Sequence, residues 1–419
     1  MDLSSPRGTR DFFPEDLRLR TWLFEHFRAV ARSFGFEEYD APVLESTELY
    51  IRKAGEEITG QLYNFEDKGG RQVTLRPEMT PTLARMVLQK GGSLSLPARW
   101  FSIPQCWRYE RMTRGRKREH YQWNMDVIGV AGVEAEAELL AAIAAFFARV
   151  GLGSADIGIK VSSRRVLQGV VSGLGVPDEH FAAVCVLVDK LEKVPREAIA
   201  GDMAALGLDD AMVDAIIDAL SLRDLDGLAG VLGADHAAVV ELRRLFALAE
   251  AYGIADWLVF DASVVRGLAY YTGVVFEAFD RGATLRAVCG GGRYDRLLST
   301  FGGADQPACG FGFGDVVILE LLKDKGLLPD LPPTLDAIVL PLGEDVRDAA
   351  TQVATTLRSK GQSVELVLEP KKMKWAFKHA TRRGARTLVI VGPDEWAAGT
   401  VRVKDLESGE QRDVAVGDL

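Results

Sequence analysis

The chain has 419 residues, 47% hydrophobic and 26% charged, the balance of a globular protein long enough for two or three domains. A net charge of -10 argues against non-specific nucleic-acid binding by the whole surface and leaves any such contact to local basic patches. No apolar run reaches membrane-spanning length, the start Met1-Asp2-Leu3-Ser4-Ser5-Pro6-Arg7 lacks a signal peptide's apolar core, and the four dispersed cysteines fit neither a disulfide framework nor a zinc site, so a cytoplasmic protein is expected.

In chain order, Phe34 to Glu45 reads as the end of an amphipathic helix with a glycine exit, and Leu75-Arg76-Pro77-Glu78-Met79-Thr80-Pro81 as a helix start, with Thr80 as N-cap and Pro81 as first residue. Arg99 to Glu110 and Gln122 to Gly129 are strand-like, forming a long hairpin whose tip carries Arg111, Arg114, Arg116, Lys117 and Arg118. On its first strand Arg108 and Glu110 are same-face neighbours suited to a salt bridge, and on the second Gln122 and Asp126 also share a face. A helix is predicted over Glu134 to Val150, closed by Gly151. Between about 163 and 252 the chain turns rich in Ala, Leu, Val and Asp at helical spacing, which predicts a helical insertion.

The stretch Val265-Arg266-Gly267-Leu268-Ala269-Tyr270-Tyr271-Thr272-Gly273 precedes an alternating run, Val274 to Glu277. An arginine near a strand end can clamp a carboxylate or phosphate with its planar fork, and paired tyrosines offer hydroxyls to a small polar ring. The triplet Gly290-Gly291-Gly292, before Arg293-Tyr294-Asp295, weakens a strand and so marks close approach of a ligand or another backbone. Gly310-Phe311-Gly312-Phe313-Gly314 lacks the acidic partner and the turn spacing of a dinucleotide loop. After the linker Pro329 to Pro333, the order strand (Ala337 to Leu342), helix, strand (Ser363 to Leu368), helix, strand (Thr387 to Val391) predicts a small parallel-sheet domain. Lys374, Lys378 and Arg382 on its second helix fall at intervals of four, one exposed cationic face fit for solvent or for RNA phosphates.

Taken together, the peptides at 265–277 and 287–295 resemble the two signature peptides of the histidyl-tRNA synthetases, and Arg7 to Phe12 matches that family's opening peptide. The resemblance implies an α/β (α+β) fold. A class II catalytic domain over 1–328 would hold a mostly antiparallel sheet flanked by helices, with the insertion, followed by a C-terminal α/β anticodon-binding domain over 334–419. It implies a homodimeric ligase that activates L-histidine with ATP and passes histidine to tRNA(His), with Mg2+ accompanying the nucleotide and no metal ligands identified. By the same resemblance Arg266 and Arg108 act at the alpha-phosphate, Glu78 and Thr80 hold the substrate ammonium beside Met79, and Asp126 and Tyr271 engage the two imidazole nitrogens. Gln122, Tyr270 and Tyr294 line that pocket, Glu110 accepts from the adenine amino group, and Arg116 reaches the gamma-phosphate.

Three positions depart from the family pattern. Val317 stands where an arginine usually covers adenine, His120 replaces a phenylalanine on the other side, and Ala269 replaces an aspartate. The expectation is a variant adenine pocket in which Val317 and His120 flank the base. The alternative is a non-catalytic, histidine-sensing paralogue that regulates a histidine-biosynthetic phosphoribosyltransferase; such chains lack the C-terminal domain and lose the paired tyrosines, both present here.

Overall fold

The computed structural model describes residues 3–54, 60–191, 195–264 and 270–419. The chain divides into two compact units, one made of residues up to Asp11 and Arg20–Leu328, the other of Phe12–Leu19 and Pro329–Leu419.

The first unit is built on a mixed sheet. Its strands are β1 (Glu37–Glu38), β5 (Ala98–Ser102), β7 (Glu119–Ile128), β8 (Ile157–Ser163), β9 (Leu258–Phe260), β10 (Val274–Asp280), β11 (Cys289–Arg293) and β12 (Ala308–Gly314), in the order β1-β5-β7-β12-β11-β10-β8-β9. All neighbours are antiparallel except the two edge pairs, β1 with β5 and β8 with β9. Side chains alternate across a strand, so the run Cys309, Phe311, Phe313 on β12 faces one way and its glycines face the other. Phe311 and Phe313 pack with Trp123 of β7, and Phe313 also packs on Phe146 and Phe147 of α4 (Glu134–Arg149), with ring centroids 4.9–5.9 Å apart. Aromatic pairs of this kind each add about 0.5–1.5 kcal/mol beyond their buried area, which is why α4 seals this face.

A smaller antiparallel sheet, β2 (Leu44–Ser46), β4 (Gln72–Leu75) and β3 (Tyr63–Glu66), delivers the chain through Arg76 to α3 (Thr80–Lys90). That helix starts at Thr80 itself, with Met79 in the capping position and no side-chain cap bond, so Thr80 is not the N-cap. Pro81 tolerates the first turn because its missing N–H has no partner there. The hairpin also departs from expectation. Its first arm is two strands, β5 and β6 (Gln105–Trp107), broken at Ile103-Pro104 because proline cannot donate to the ladder, and residues 108–110 leave the strand altogether. Its second arm begins at Glu119, not Gln122. Helices Arg164–Gly173, Phe181–Leu191, Arg196–Ala205, Asp210–Leu220, Leu225–Leu232 and Ala237–Ala251 fill the expected insertion, and a hydrophobic core of their own includes Val184, Met203 and Ile216.

The second unit is a mixed sheet, not a parallel one. Strands β13 (Leu335–Pro341), β14 (Val364–Leu366) and β15 (Ala385–Val391) are parallel as the sequence suggests, but β16 (Thr400–Asp405) and β17 (Gln411–Ala415) add two antiparallel strands. Those two were missed although Val401 and Val403 alternate with polar residues, because each run is short and crowded with charges such as Arg402, Lys404 and Arg412. Ala337 and Val339 face one core with the helix Arg347–Ser359, Ile338 and Leu340 another with the helix Met373–Arg382, which explains the unbroken apolar run of β13. Lys374, Lys378 and Arg382 stand exposed on the latter helix.

One ion pair ties α4 to the sheet. The guanidinium of Arg293 (1% exposed) binds both carboxylate oxygens of Glu136 (0% exposed) at 2.6 Å. It also donates to the carbonyls of Val130 at 3.0 Å and Gly132 at 2.9 Å and to Asp295 at 3.2 Å. Removing one member of a buried pair leaves the other charge uncompensated, so Glu136→Ala is expected to cost about 3–5 kcal/mol in denaturant unfolding; a loss under about 1 kcal/mol would show that the pair is not what anchors α4.

Candidate active site

The face of the main sheet opposite the aromatic core is paved with glycine. Register sets Val275, Gly292, Gly310, Asp126 and Trp100 side by side across five strands, and in the next row Glu277, Gly290, Gly312, Asn124 and Ser102. Each missing side chain makes room for a named neighbour. A Cβ on Gly310 would overlap the Asp126 carboxylate and stand 2.8 Å from the Met125 carbonyl; one on Gly312 would lie 2.7 Å from Gln122 Cδ; one on Gly292 would lie 2.9 Å from the Tyr271 ring and 2.6 Å from the Val274 carbonyl. The glycines therefore let Asp126, Gln122 and Tyr271 lie close to the sheet floor.

Asp126 is buried, and its Oδ1 accepts a hydrogen bond from the Tyr294 hydroxyl. Tyr270 packs on Tyr271 at 4.7 Å and edge-on to Tyr294 at 6.0 Å, so three phenols and one carboxylate form one cluster. Burial first, and then the charge of Asp126, pushes the phenols of Tyr294 and of nearby Tyr39 well above their usual range, so both stay neutral donors.

A second cluster surrounds the β6–β7 hairpin. Arg108 Nε donates to the Pro77 carbonyl at 3.0 Å, which sets this guanidinium beside Glu78. The Glu78 backbone carbonyl is held by the Tyr50 hydroxyl at 3.3 Å. Just before it, the buried Arg76 fastens the segment by bonds to the carbonyls of Gln105 at 2.9 Å and Ala41 at 2.7 Å. Met79 is buried and Thr80 partly so at the start of α3. Glu110 pairs with Arg116 at 3.0 Å instead of with Arg108, because Arg108 has left the strand and turned toward Pro77. At the tip, Gly115 takes φ +76°, Arg114 is held by Asp324 at 2.5 Å and Glu320 at 3.2 Å, and Arg118 lies over the Tyr109 ring at 3.8 Å. His120 pairs in register with Cys106 in this cluster, and Val317 is buried on the helix Asp315–Asp324.

The structure thus brings Asp126, Gln122, Tyr270, Tyr271 and Tyr294 onto one floor and gathers Arg108, Glu110, Arg116 and His120 about the hairpin. Arg266 lies outside the described residues, so its placement is not part of this geometry. Sequence reasoning missed a supporting member: Arg10 of the opening peptide bridges Glu119 at 3.2 Å and the buried Asp315 at 2.9 Å, tying β7 to the helix that carries Val317. The partner residues lie 109 and 305 positions from Arg10, so no local spacing pointed to them. Among the described residues no group of three or more His, Cys, Asp or Glu could hold a metal ion.

Two outcomes follow from this packing. Burial, reinforced by Arg108, Arg10, Arg286 and Arg116, lowers the His120 imidazole pKa from 6.5 to about 3. A folded pKa below the unfolded value means that the unfolded chain takes the proton first, so this group's full contribution is present above pH 6.5 and is lost as pH falls toward about 3. NMR of the His120 ring is expected to report a neutral imidazole at pH about 5, and an ordinary midpoint near 6.5 would contradict the site. Gly310→Ala is expected to push the Asp126 carboxylate off Tyr294 and destabilise the fold by about 1–3 kcal/mol through overpacking, as measured by thermal unfolding.

Comparison with known proteins agrees with the motifs. A family model described as histidyl-tRNA synthetase matches residues 8–314, and one described as an anticodon binding domain matches 336–419. The histidine–tRNA ligase of Arabidopsis thaliana, named as chloroplastic/mitochondrial, is 58% identical over 419 residues, covering 100% of this chain and 86% of that protein. The histidine–tRNA ligase of Opitutus terrae is 41% identical over 413 residues, covering 97% and 94%. The crystal structure of histidyl-tRNA synthetase from Nostoc superposes with a TM-score of 0.79 at 26% identity, covering 99% of this chain and 97% of that one. With glycine floor, signature tyrosines and both family models on a single chain, this protein belongs to the histidyl-tRNA synthetase family.

Proposed function

We propose that this protein is a histidine–tRNA ligase that joins L-histidine to ATP as histidyl-adenylate and then transfers histidine to tRNA(His). The carrying observation is likeness over the whole chain to ligases of this name, on a scaffold whose carboxylate–phenol floor lies near a cluster of arginines. In the first step a histidine carboxylate oxygen attacks the alpha-phosphorus of ATP, a P–O bond forms, and the bond to the beta-phosphate oxygen breaks to release diphosphate. In the second, a terminal ribose hydroxyl of the tRNA attacks the carbonyl carbon, and AMP leaves with the electron pair of the C–O bond.

In this proposal Asp126 accepts from one imidazole nitrogen and Tyr271 engages the other, while Gln122, Tyr270, Tyr294 and Met79 shape the pocket. Two directed bonds to opposite nitrogens reject analogues by roughly 10⁴ to 10⁵, because the site's polar groups would be left unpaired. Glu78 and Thr80 take the ammonium. Arg108 holds the substrate carboxylate and the alpha-phosphate together, and Arg266 meets charge that develops on the alpha-phosphate. Glu110 accepts from the adenine amino group and Arg116 binds the gamma-phosphate, so their 3.0 Å pair separates when ATP enters. His120, held neutral, and Val317 flank adenine. Mg2+ enters on the triphosphate oxygens, the mode suited to a cation that keeps most of its water, and no step is assigned to a protein-held ion.

The exposed Lys374, Lys378 and Arg382 offer tRNA phosphates a contact whose strength falls with salt. We also propose a homodimer and the domain division 1–328 and 334–419. Among the described residues no helix is long and apolar enough to cross a membrane. The compartment proposed is the cytoplasm, with the organellar name of the Arabidopsis relative as the competing assignment. The regulatory alternative is not favoured for a chain whose residues 336–419 match an anticodon binding domain.

Histidine-dependent ATP–pyrophosphate exchange with the purified protein, followed by charging of total tRNA, tests the reaction; failure of both would overturn it. Asp126→Ala is expected to abolish histidine binding by calorimetry. Arg266→Ala is expected to raise the activation barrier by about 3–4 kcal/mol, a rate loss on the order of 10²–10³, with the fold retained. Unaltered histidine affinity in the first variant, or near-normal exchange in the second, would remove that residue from the assignment.

A further inference from the structure

Arg286 lies in the connection between β10 and β11, a segment to which the sequence motifs assign nothing. Its arm reaches the hairpin tip. A Cβ built on Gly115 would stand 3.8 and 3.9 Å from Arg286 Cγ and Cδ and 3.3 Å from Val317 Cγ2, so the arginine arm and the valine flank the same point. From there Arg286 acts on His120, and it is itself acted on by Arg116, Glu110, Arg108 and Glu277.

Four other arginines of this region have partners. Arg10 has Glu119 and Asp315, Arg114 has Asp324 and Glu320, Arg116 has Glu110, and Arg108 has the Pro77 carbonyl. Among the described residues Arg286 makes no salt bridge or hydrogen bond. Burial first, and then the like charges of Arg116 and Arg108, hold its guanidinium below the usual arginine range, with Glu110 and Glu277 opposing in part. A cation kept among cations is relieved when a polyanion arrives, since each phosphate oxygen turns mutual repulsion into charge-assisted hydrogen bonds.

We propose that Arg286 is a nucleotide-binding residue, supplying the ATP triphosphate with a guanidinium near Arg116 at the hairpin tip. The assignment rests on Arg108, Glu110 and Arg116 forming the nucleotide site, as proposed above. Arg286 reaches the tip from the β10–β11 connection and Val317 from the helix Asp315–Asp324.

Calorimetry with ATP, adenosine and L-histidine as separate titrants tests this on the purified full chain without requiring turnover. Arg286→Ala is expected to weaken ATP binding on the order of tenfold, the loss of one charge-assisted contact. Adenosine and histidine affinities and the thermal midpoint should stay as in the unaltered protein, and Arg286→Lys should recover part of the loss. An ATP affinity within about twofold of the unaltered protein would refute the role. Equal losses for ATP and adenosine would refute the phosphate contact, because the base and sugar alone would then account for the effect. If the unaltered protein binds adenosine and ATP equally, the triphosphate site falls, and with it the role of Arg286; histidine-dependent exchange then reports separately on the ligase assignment.

Discussion

The buried fork between Arg293 and Glu136 is the constraint on which the site depends. It comes straight after the Gly290–Gly292 floor and straight before Tyr294, so the point at which β11 is fastened to the N-terminal turn of α4 also fixes the height of the phenol that holds Asp126. A bare ion pair in that position would lose more on leaving water than it regains. This one is completed by two carbonyls and by Asp295, so the guanidinium donors all find acceptors.

Above that anchor the two faces of the sheet do opposite things with the same alternation. Cys309, Phe311 and Phe313 fill the core beneath α4, while Gly310, Gly312 and Gly314, one residue out of phase, leave the other face bare. Glycine weakens a strand by entropy and by lost packing. Here the aromatic side of the strands offsets that cost, and the bare side lets the carboxylate of Asp126 and the ring of Tyr271 lie where any Cβ would exclude them. Core packing and room for the polar side chains of the floor are divided between odd and even positions of one strand.

The hairpin region is organised by charge rather than by packing. Three of its arginines are tethered, to Glu110, to Asp324 and Glu320, or to Glu119 and Asp315, while Arg286 reaches in from the next connection with no salt bridge or hydrogen bond among the described residues. His120 is driven neutral among these cations and so adds a flat surface without adding to their repulsion. A polyanionic ligand suits such a place, and a neutral ring suits the edge of it.

Much of this was legible in the sequence. The paired strands, the helix closed by Gly151, the helical insertion and the strand–helix alternation after Pro333 follow from periodicity and punctuation, because these depend on neighbours a few residues away. The strand break at Pro104 and the start of α3 at Thr80 were misjudged, as was the edge hairpin β16–β17, since boundaries and edges answer to context more than to local preference. The Gly290–Gly292 triplet announced close approach of neighbouring atoms, and the structure places the Gly310 and Val274 carbonyls and the Tyr271 ring there. What the sequence by itself determined, then, was the set of elements, the family and most of the polar residues that meet. The tertiary structure alone decided that Arg293 closes on Glu136, that Arg116 takes Glu110 from Arg108, and that Arg286 comes to lie beside Val317. Those partners are 157, 6 and 31 positions apart, and of the three only the short-range one lay within reach of local spacing. Packing of helices and strand connections against the sheet brings the distant ones together.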